Sequence, residues 1–315
     1  MCIRDRLNIV QTLDQLGIDY IEAGNPGSNP KDLEFFERVG QLTLHHAKLV
    51  AFGSTRRKEE KVEDDINLQA LLSANTKAVS IFGKSWDFHV TDIIHTTLEE
   101  NLRMIEETVA FLKAHGKEVI FDAEHFFDGY KRNPDYAMQT LLAAQKGGAD
   151  YICLCETNGG AFPDEVSRIV AQVLPQLRVP VGIHTHDDGG MAVASSVMAV
   201  LAGAQMVQGT LIGFGERCGN ANLSAIIANL QLKRNYQCIP PENLHKLMQT
   251  CRVVSEISNV RLHKNMPYVG KSAFAHKGGM HIDGVNKAPA SFEHINPESV
   301  GNSRRFLMLS LIHIS

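Results

Sequence analysis

The chain has 315 residues, of which 44% are hydrophobic and 21% are charged, and its formal net charge at pH 7 is -4. That length can bury one large core or two smaller ones, and the balanced charge leaves no basic stripe for nucleic acid. Six scattered cysteines, no apolar run that could cross a bilayer and no signal-peptide core predict a cytoplasmic protein without membrane or secretory segments.

Short apolar runs alternate with longer stretches of helical periodicity along most of the chain. In chain order, the runs that predict strands are 18–23, 48–52, 78–82, 118–123, 151–155, 181–186 and 206–212. The stretches that predict helices include 7–16, 96–115, 163–174 and 190–201. This alternation indicates a parallel sheet, in either a doubly wound fold or a (β/α)8 barrel.

Polar or glycine-containing clusters follow nearly every predicted strand, from Glu22–Asn25 after the first to Gly213–Glu216 after the last. In a barrel all of these strand ends surround one mouth, where barrel enzymes carry their chemistry. A doubly wound sheet would be expected to carry Gly-x-Gly-x-x-Gly near its first strand, and that fingerprint is absent. The sequence therefore favours the α/β (β/α)8 TIM barrel.

The ends of the chain suggest an incomplete barrel. A closed barrel needs eight strands, whereas seven are visible and the helix 7–16 precedes the first of them. Met1–Asp5 can be encoded by codons whose reverse complement encodes Ser310–His313, as expected of sequencing adapter translated at both ends. We therefore predict adapter at 1–6 and 309–315, a TIM-barrel catalytic domain with strands 2 to 8 at 7–235, and a linker with a small helical and loop subdomain at 236–308.

His184 and His186 lie two residues apart at the end of the predicted strand 181–186. Residues two apart in a strand point to the same face, so both imidazoles converge on one spot at the strand end. That arrangement suits a metal ion, although the two residues alone fit two independent histidines equally well.

Five segments at the predicted strand ends resemble the citramalate synthases, which belong with isopropylmalate and homocitrate synthases to the metal-dependent Claisen-condensing group of TIM-barrel enzymes. These segments are Gly24–Pro30, Val50–Arg57, Phe121–Gly129, His184–Ala192 and Gly215–Asn222. The resemblance covers essentially all of Leu7–Met308. Two positions depart from the family pattern: Glu156 stands where Asp is usual, and Asp187 stands where Asn is common.

The resemblance implies an acyltransferase that joins the methyl carbon of acetyl-CoA to the ketone carbon of pyruvate and releases citramalate and CoA, on a route to isoleucine. A divalent ion (Mg, Mn or Zn) would polarise the ketone. By the same resemblance, the metal ligands are His184, His186 and Asn220, the catalytic residues include Glu124 as base and Glu216 beside a ligand or metal-bound water, and the substrate-binding residues include Thr157 and His89.

Each of these residues also has a structural interpretation. Asn220 could cap a helix in a turn-rich connection, and Glu124 could be an ordinary carboxylate in a salt bridge at the barrel mouth. Thr157 could simply cap a turn, and His89 could be an ordinary loop histidine.

The segment Tyr268–Gly284 is rich in glycine and histidine. The resemblance implies a subdomain that reaches across a homodimer to the partner's active site and helps bind acetyl-CoA, with His281 as the catalytic histidine and His276 as a weaker candidate. Taken from the residues alone, the same segment could be a flexible linker without metal.

Two classes of alternative remain. The same barrel and metal could serve a 2-isopropylmalate synthase with a larger oxoacid, or a related aldol-cleaving lyase. A metal-dependent hydrolase fits less well, because such barrels carry His-x-His on the first strand. The chain as written could also be a non-catalytic fragment, since the family motif Asp-x-Thr-Leu-Arg-Asp-Gly of the first strand, which supplies an arginine and a metal ligand, is absent.

Overall fold

The computed structural model describes residues 2–307, and its main feature is a sheet of seven parallel strands in chain order. The strands are β1 Tyr20–Glu22, β2 Lys48–Ser54, β3 Ala78–Lys84, β4 Glu118–Glu124, β5 Tyr151–Glu156, β6 Val181–Thr185 and β7 Met206–Gln208. Every strand pairs with the next along the chain, so in the described residues β1 and β7 form the two edges. The predicted parallel architecture is confirmed.

Helices connect the strands and continue beyond β7. They are α1 Ile3–Leu16, α2 Pro30–Val39, α3 Ile66–Ser73, α4 Leu98–Ala114, α5 Phe126–Arg132, α6 Pro134–Gly147, α7 Pro163–Val173, α8 Ala192–Leu201, α9 Leu223–Arg234, α10 Leu247–Ser258 and α11 Gly279–Lys287. A π-helical turn, His89–Ile93, lies between β3 and α4. Local chemistry sets several ends: Thr97 accepts from the Glu100 N–H to begin α4, and Gly17 ends α1 with φ 95°.

Helix α1 begins at Ile3, four residues before its predicted start. The Cys2 Sγ accepts a hydrogen bond from the Asp5 N–H at 3.4 Å, and Asp5 lies in the first turn, where a carboxylate complements the helix dipole. Arg6 lies on this helix with its guanidinium 3.8 Å from the centre of the Phe35 ring. Residues 309–315 lie outside the described residues, and the adapter interpretation of both ends stays a prediction.

Strand β7 ends at Gln208, although the apolar pattern predicted a strand through residue 212. Beyond Gln208 the backbone turns away from the sheet and pairs with the segment that leads into α9. The Thr210 N–H donates to the Ala221 carbonyl at 3.1 Å, and the Leu223 N–H donates to the Thr210 carbonyl at 2.9 Å. These tertiary hydrogen bonds replace strand pairing and bring residue 220 against the end of β6.

The main apolar core lies between the sheet and its surrounding helices. Side chains such as Phe35, Ile81, Phe121 and Leu141 are fully buried there. The opposite, concave face of the sheet lines a cavity of about 800 Å³ whose wall includes Tyr20, Glu22, Ser80, His184 and Gln208. The polar residues of the strands therefore share this inner face, as the barrel prediction requires.

Residues 236–307 pack against α1, which precedes β1, and against α9, which follows β7. They contain the 3-10 helix Pro241–Lys246, α10, α11 and a small parallel sheet of β8 Ala275–His276 and β9 Arg305–Phe306. A second apolar cluster joins α9 and α10 to Tyr268, Val269 and Phe274. Within residues 2–307, no helix combines the length and the apolarity that crossing a membrane would require. The division at residue 235 stays a prediction.

Candidate metal-binding site

The two histidines that the sequence singled out face each other at the end of β6. Their Nε2 atoms lie 3.2 Å apart. Two nitrogen ligands at about 2.1 Å from one ion lie about 3.0 to 3.4 Å apart when the angle between them is octahedral or tetrahedral. The separation of the imidazoles in this structure therefore fits a shared metal ion.

Asn220 joins the pair from the loop after β7. Its backbone forms a β-bridge with His186, and its side chain is near enough to His184 to influence the pKa of that imidazole. The amide Nδ2 donates to the Phe214 carbonyl at 3.2 Å, whereas the buried Oδ1 has no hydrogen-bond partner of good geometry. A buried carbonyl oxygen without a partner is costly, and a cation at this point would satisfy it.

Two glycines allow the loop to hold Asn220 in this place. At Gly215, with φ 159°, a Cβ atom would lie 2.2 Å from the Asn220 Nδ2. At Gly219, with φ 106°, a Cβ atom would lie 2.0 Å from the Gly213 carbonyl oxygen. The loop therefore requires glycine at both positions, since any side chain would displace the asparagine amide or the turn that carries it.

Burial keeps both imidazoles in the neutral form that binds metal ions. Burial, with a further contribution from the nearby His186, lowers the pKa of His184 to about 4. Burial also lowers the pKa of His186, and the nearby Arg217 lowers it further. Near neutral pH, each ring can therefore offer a nitrogen lone pair without first losing a proton.

A series of hydrogen bonds holds His184 on the side of its Nδ1. Its Nδ1 lies 3.1 Å from the Gln208 Oε1, and the Gln208 Nε2 donates to the Asp122 Oδ1 at 2.7 Å. The Ser80 hydroxyl donates to the other carboxylate oxygen of Asp122. Sequence reasoning missed Gln208, Asp122 and Ser80, since these residues lie on β7, β4 and β3 and only the folded sheet brings their side chains together. His184 and Gln208 are register partners in β6 and β7.

A second group with metal-ligand chemistry lies deeper on the concave face. The ligand atoms of Asp122, Cys153 and Cys155 lie within 4.8 Å of one another, and all three residues are buried. Both oxygens of Asp122 already accept hydrogen bonds, and burial raises the pKa of the Cys153 thiol well above its usual range. This group is therefore less suited to binding a cation than the histidine pair, whose two neutral imidazoles face each other.

Glu124 and His89 lie together at the ends of β3 and β4. Glu124 forms an ion pair with Lys84, its register partner, as its structural interpretation expected. His89 stacks on Trp86 and lies 4.2 Å from the ring centre of His125. Burial lowers the pKa of His89, and its buried Nδ1 has no hydrogen-bond partner of good geometry. These two residues thus lie at the barrel mouth, where the His89 Nδ1 could bind a polar ligand.

Thr157 and Arg217 link that group to the histidine pair. The Thr157 hydroxyl accepts from the His125 N–H at 2.9 Å, and its carbonyl accepts from the Arg217 guanidinium at 2.6 Å. Arg217 also makes a two-point ion pair with Asp188, at 2.7 and 2.9 Å. The loops after β5, β6 and β7 are therefore tied together through Arg217, which sequence reasoning did not single out.

Within the described part of the chain, the other predicted site residues make no hydrogen bond to His184 or His186. Glu216 is exposed on the loop beside Arg217, near enough to His186 to influence its pKa. His276 is buried and bonds through Nε2 to Glu293 at 3.2 Å, while the exposed His281 stacks on Phe292. Among residues 2–307, no hydrogen bond or ring contact joins His276 or His281 to the mouth residues.

Comparisons with known proteins agree with this geometry. A family model described as HMGL-like matches residues 1–254, and one described as homocitrate synthase post-HMGL domain-like matches residues 268–312. A hydroxymethylglutaryl-CoA lyase from Pseudomonas aeruginosa has the same fold, with a TM-score of 0.69 at 18% identity over 86% of this chain and 90% of that one. The predicted TIM-barrel fold class is confirmed.

Curated relatives share much more sequence. An (R)-citramalate synthase of Aquifex aeolicus is 56% identical over 98% of this chain and 59% of its own length. One from Synechocystis is 52% identical over 98% of this chain and 58% of its own length. A probable 2-isopropylmalate synthase of Methanopyrus kandleri is 34% identical over 98% of this chain and 59% of its own length. The chain thus spans somewhat under three fifths of the length of each of these three relatives.

Proposed function

The chain belongs to the HMGL-like family, and from this premise we propose that it carries the barrel of an acyltransferase that condenses acetyl-CoA with pyruvate to give citramalate and CoA. The observation that carries the proposal is the close approach of the His184 Nε2 and the His186 Nε2, with the Asn220 side chain and its unpartnered Oδ1 beside His184. The gap in identity between the citramalate synthases and the isopropylmalate synthase, 56% against 34%, supports pyruvate as the oxoacid.

The donor set suits a divalent cation held by His184, His186 and Asn220. Two neutral imidazoles and an amide oxygen are compatible with Mg, Mn or Zn. When bound, such an ion supplies a Lewis acid that polarises the ketone of a chelated 2-oxoacid.

The remaining chemistry falls to side chains around the mouth. Glu124 accepts a proton from the methyl carbon of acetyl-CoA, and that carbon then forms the new bond to the ketone carbon of the oxoacid while the ketone C=O opens and its oxygen gains a proton to become a hydroxyl. Thr157 and His89 hold the oxoacid or the thioester, and Glu216 orients a ligand or a water. Water then cleaves the thioester, which releases the free thiol of CoA together with citramalate.

The C-terminal residues complete the proposal. We assign 7–235 to the catalytic barrel and 236–308 to a linker and an acetyl-CoA-side subdomain in which His281 is the catalytic histidine and His276 a second candidate. The full enzyme would act as a cytoplasmic homodimer in isoleucine biosynthesis. A match to the homocitrate synthase post-HMGL model in this region supports the assignment of a separate functional unit.

The test is release of free CoA thiol by the 315-residue chain. The chain is incubated with acetyl-CoA and each of Mg²⁺, Mn²⁺ and Zn²⁺, with pyruvate or 2-oxoisovalerate as the acceptor. We expect release with pyruvate to exceed release with 2-oxoisovalerate, and His184→Ala to abolish it. Faster release with 2-oxoisovalerate would assign the isopropylmalate reaction instead. Metal binding without release from either oxoacid would support the non-catalytic fragment.

A further inference from the structure

The series of hydrogen bonds that supports His184 ends at Asp122, whose carboxylate can only accept hydrogen bonds. Both oxygens of Asp122 accept, one from Ser80 and the other from the Gln208 Nε2 at 2.7 Å. An ionised carboxylate has no proton to donate. Burial raises the pKa of Asp122 to about 6, so the carboxylate is ionised at about pH 8.

The Asp122 carboxylate fixes the orientation of the Gln208 amide. If the amide were reversed, its oxygen would face a carboxylate oxygen at 2.7 Å with no proton between them, which is repulsive. The amide nitrogen must therefore face Asp122, and the amide oxygen must face the His184 Nδ1 at 3.1 Å. A contact at that distance to an acceptor oxygen requires a proton on Nδ1.

The position of the proton on His184 also determines the position of the proton on His186. A neutral His184 with its proton on Nδ1 carries a lone pair on Nε2, which faces the His186 Nε2 at 3.2 Å. Two lone pairs at that distance repel each other, so without a cation the proton of His186 must lie on Nε2. The buried Nδ1 of His186 has no partner that would hold a proton there.

We propose that Gln208, held in orientation by Asp122, is a positioning residue that locks His184 in the Nδ1–H tautomer and presents its Nε2 lone pair to the metal site. His186 has no such support and rests as the Nε2–H tautomer, donating to His184. The two neighbouring imidazoles are thus opposite tautomers in the metal-free protein. Binding of a cation leaves the proton of His184 in place but moves the proton of His186 from Nε2 to Nδ1.

This inference rests on the proposed metal site for its purpose, while its main test needs neither metal nor substrate. In metal-free protein labelled with ¹⁵N-histidine at about pH 8, the ring nitrogen shifts report which nitrogen carries the proton. We expect His184 as Nδ1–H and His186 as Nε2–H, each assigned by loss of its signals in His184→Ala or His186→Ala. The Nε2–H tautomer at His184 would overturn the proposal.

Three variants separate positioning from simple packing. Gln208→Met removes both hydrogen bonds at nearly constant volume, and we expect His184 to become a mixture of tautomers. Gln208→Glu keeps an oxygen acceptor beside Nδ1, and with one proton shared between its other oxygen and Asp122 it should retain the Nδ1–H form. Asp122→Asn preserves shape but lets the amides face either way, so it should also give a mixture. A His184 that stays wholly Nδ1–H in Gln208→Met and Asp122→Asn would contradict the assignment.

Zinc affinity provides a second readout. In competition with a chromophoric chelator, Gln208→Met should bind Zn²⁺ about 10- to 100-fold more weakly, as expected when the partner of a metal-bound histidine is lost. Gln205→Met, at an exposed position just before β7, is the matched control and should bind as the parent does. Unchanged affinity in Gln208→Met would overturn the positioning role. Absence of Zn²⁺ binding in the parent, with the expected tautomers intact, would count against the proposed function alone.

Discussion

The histidine pair at the end of β6 and the pair in the C-terminal region differ in what holds them. In each pair one imidazole is anchored: His184 by the neutral amide of Gln208, and His276 by the buried carboxylate of Glu293. At the barrel mouth the anchor takes Nδ1 and leaves Nε2 free to face His186 at 3.2 Å. In the C-terminal region, the anchor takes the Nε2 of His276, and its ring centre lies 6.4 Å from that of His281.

The charge of the anchor adds to the difference. Glu293 also accepts two hydrogen bonds from Arg304, each at 2.7 Å, and these hold the pKa of its carboxyl below the usual range. A carboxylate paired in this way holds the Nε2 of His276 and stabilises the fold around it. The first pair therefore has two imidazole nitrogens that face each other, whereas one ring of the second pair is held by a buried carboxylate that is also paired with Arg304.

Removal of a barrel histidine tests this contrast with the largest expected effect. His186→Ala should weaken Zn²⁺ binding by at least about 100-fold, because it deletes one of two imidazole ligands. His281→Ala, at an exposed position of the other pair, should leave the affinity unchanged. Isothermal titration of both variants decides the matter. Equal loss in the two would mean that the pairs share one site.

Acid pH should reveal the barrel pair in a second way. In the folded protein the pKa of His184 is about 4, below its ordinary value of 6.5, so the unfolded chain takes up the proton first as the pH falls. Stability from this group is complete above about pH 6.5 and is lost progressively towards pH 4, by on the order of 2 to 3 kcal/mol. Urea unfolding of the metal-free chain measures the slope.

The matched variant for this measurement is His184→Gln, which keeps a polar side chain but cannot titrate. Its stability should depend less steeply on pH between 6.5 and 4 than that of the parent. Parallel slopes in the two proteins would show that protonation of His184 is not what limits stability in acid.

A change at the anchor of the second pair should affect stability and spare the metal. Glu293→Gln replaces a buried carboxylate that accepts from His276 and Arg304, and we expect the free energy of unfolding to fall by about 1 to 2 kcal/mol. Glu298→Gln, at an exposed position nearby, should change it by less than about 0.5 kcal/mol. Weaker Zn²⁺ binding in Glu293→Gln would contradict the separation of the two regions.

Sequence reasoning located the first pair because its signal is local. Residues two apart in a strand share a face, so His184 and His186 could be placed together without knowledge of the fold. Asn220 required the family resemblance, since 34 positions separate it from His186 and only the turn after Gln208 brings it near. The predicted sheet was right in strand order and type, but β7 was too long because loop hydrogen bonds replace strand pairing beyond Gln208.

The supports of the site were not predictable in the same way. Asp122 and Gln208 are 86 positions apart and meet only because successive parallel strands bring their inward residues to one face. Arg217 was not singled out, because its contacts with Thr157 and Asp188 form only between the folded loops. Cross-strand contacts of this kind depend on register, which a single sequence specifies only through the whole fold.

Loss of the ion pair between Arg217 and Asp188 should have the smallest effect on stability, and it tests whether the loops around the barrel histidines contribute to activity. Its side chains are 46% and 24% exposed, so Asp188→Asn should lower the free energy of unfolding by less than about 1 kcal/mol, and by still less at high salt. The same change removes the partner that holds Arg217 over the Thr157 carbonyl. If these loops position the barrel histidines, Asp188→Asn should lower the rate of CoA release by a larger factor than the small loss of stability explains. Lys287→Gln breaks an exposed ion pair in the C-terminal region and should leave that rate unchanged.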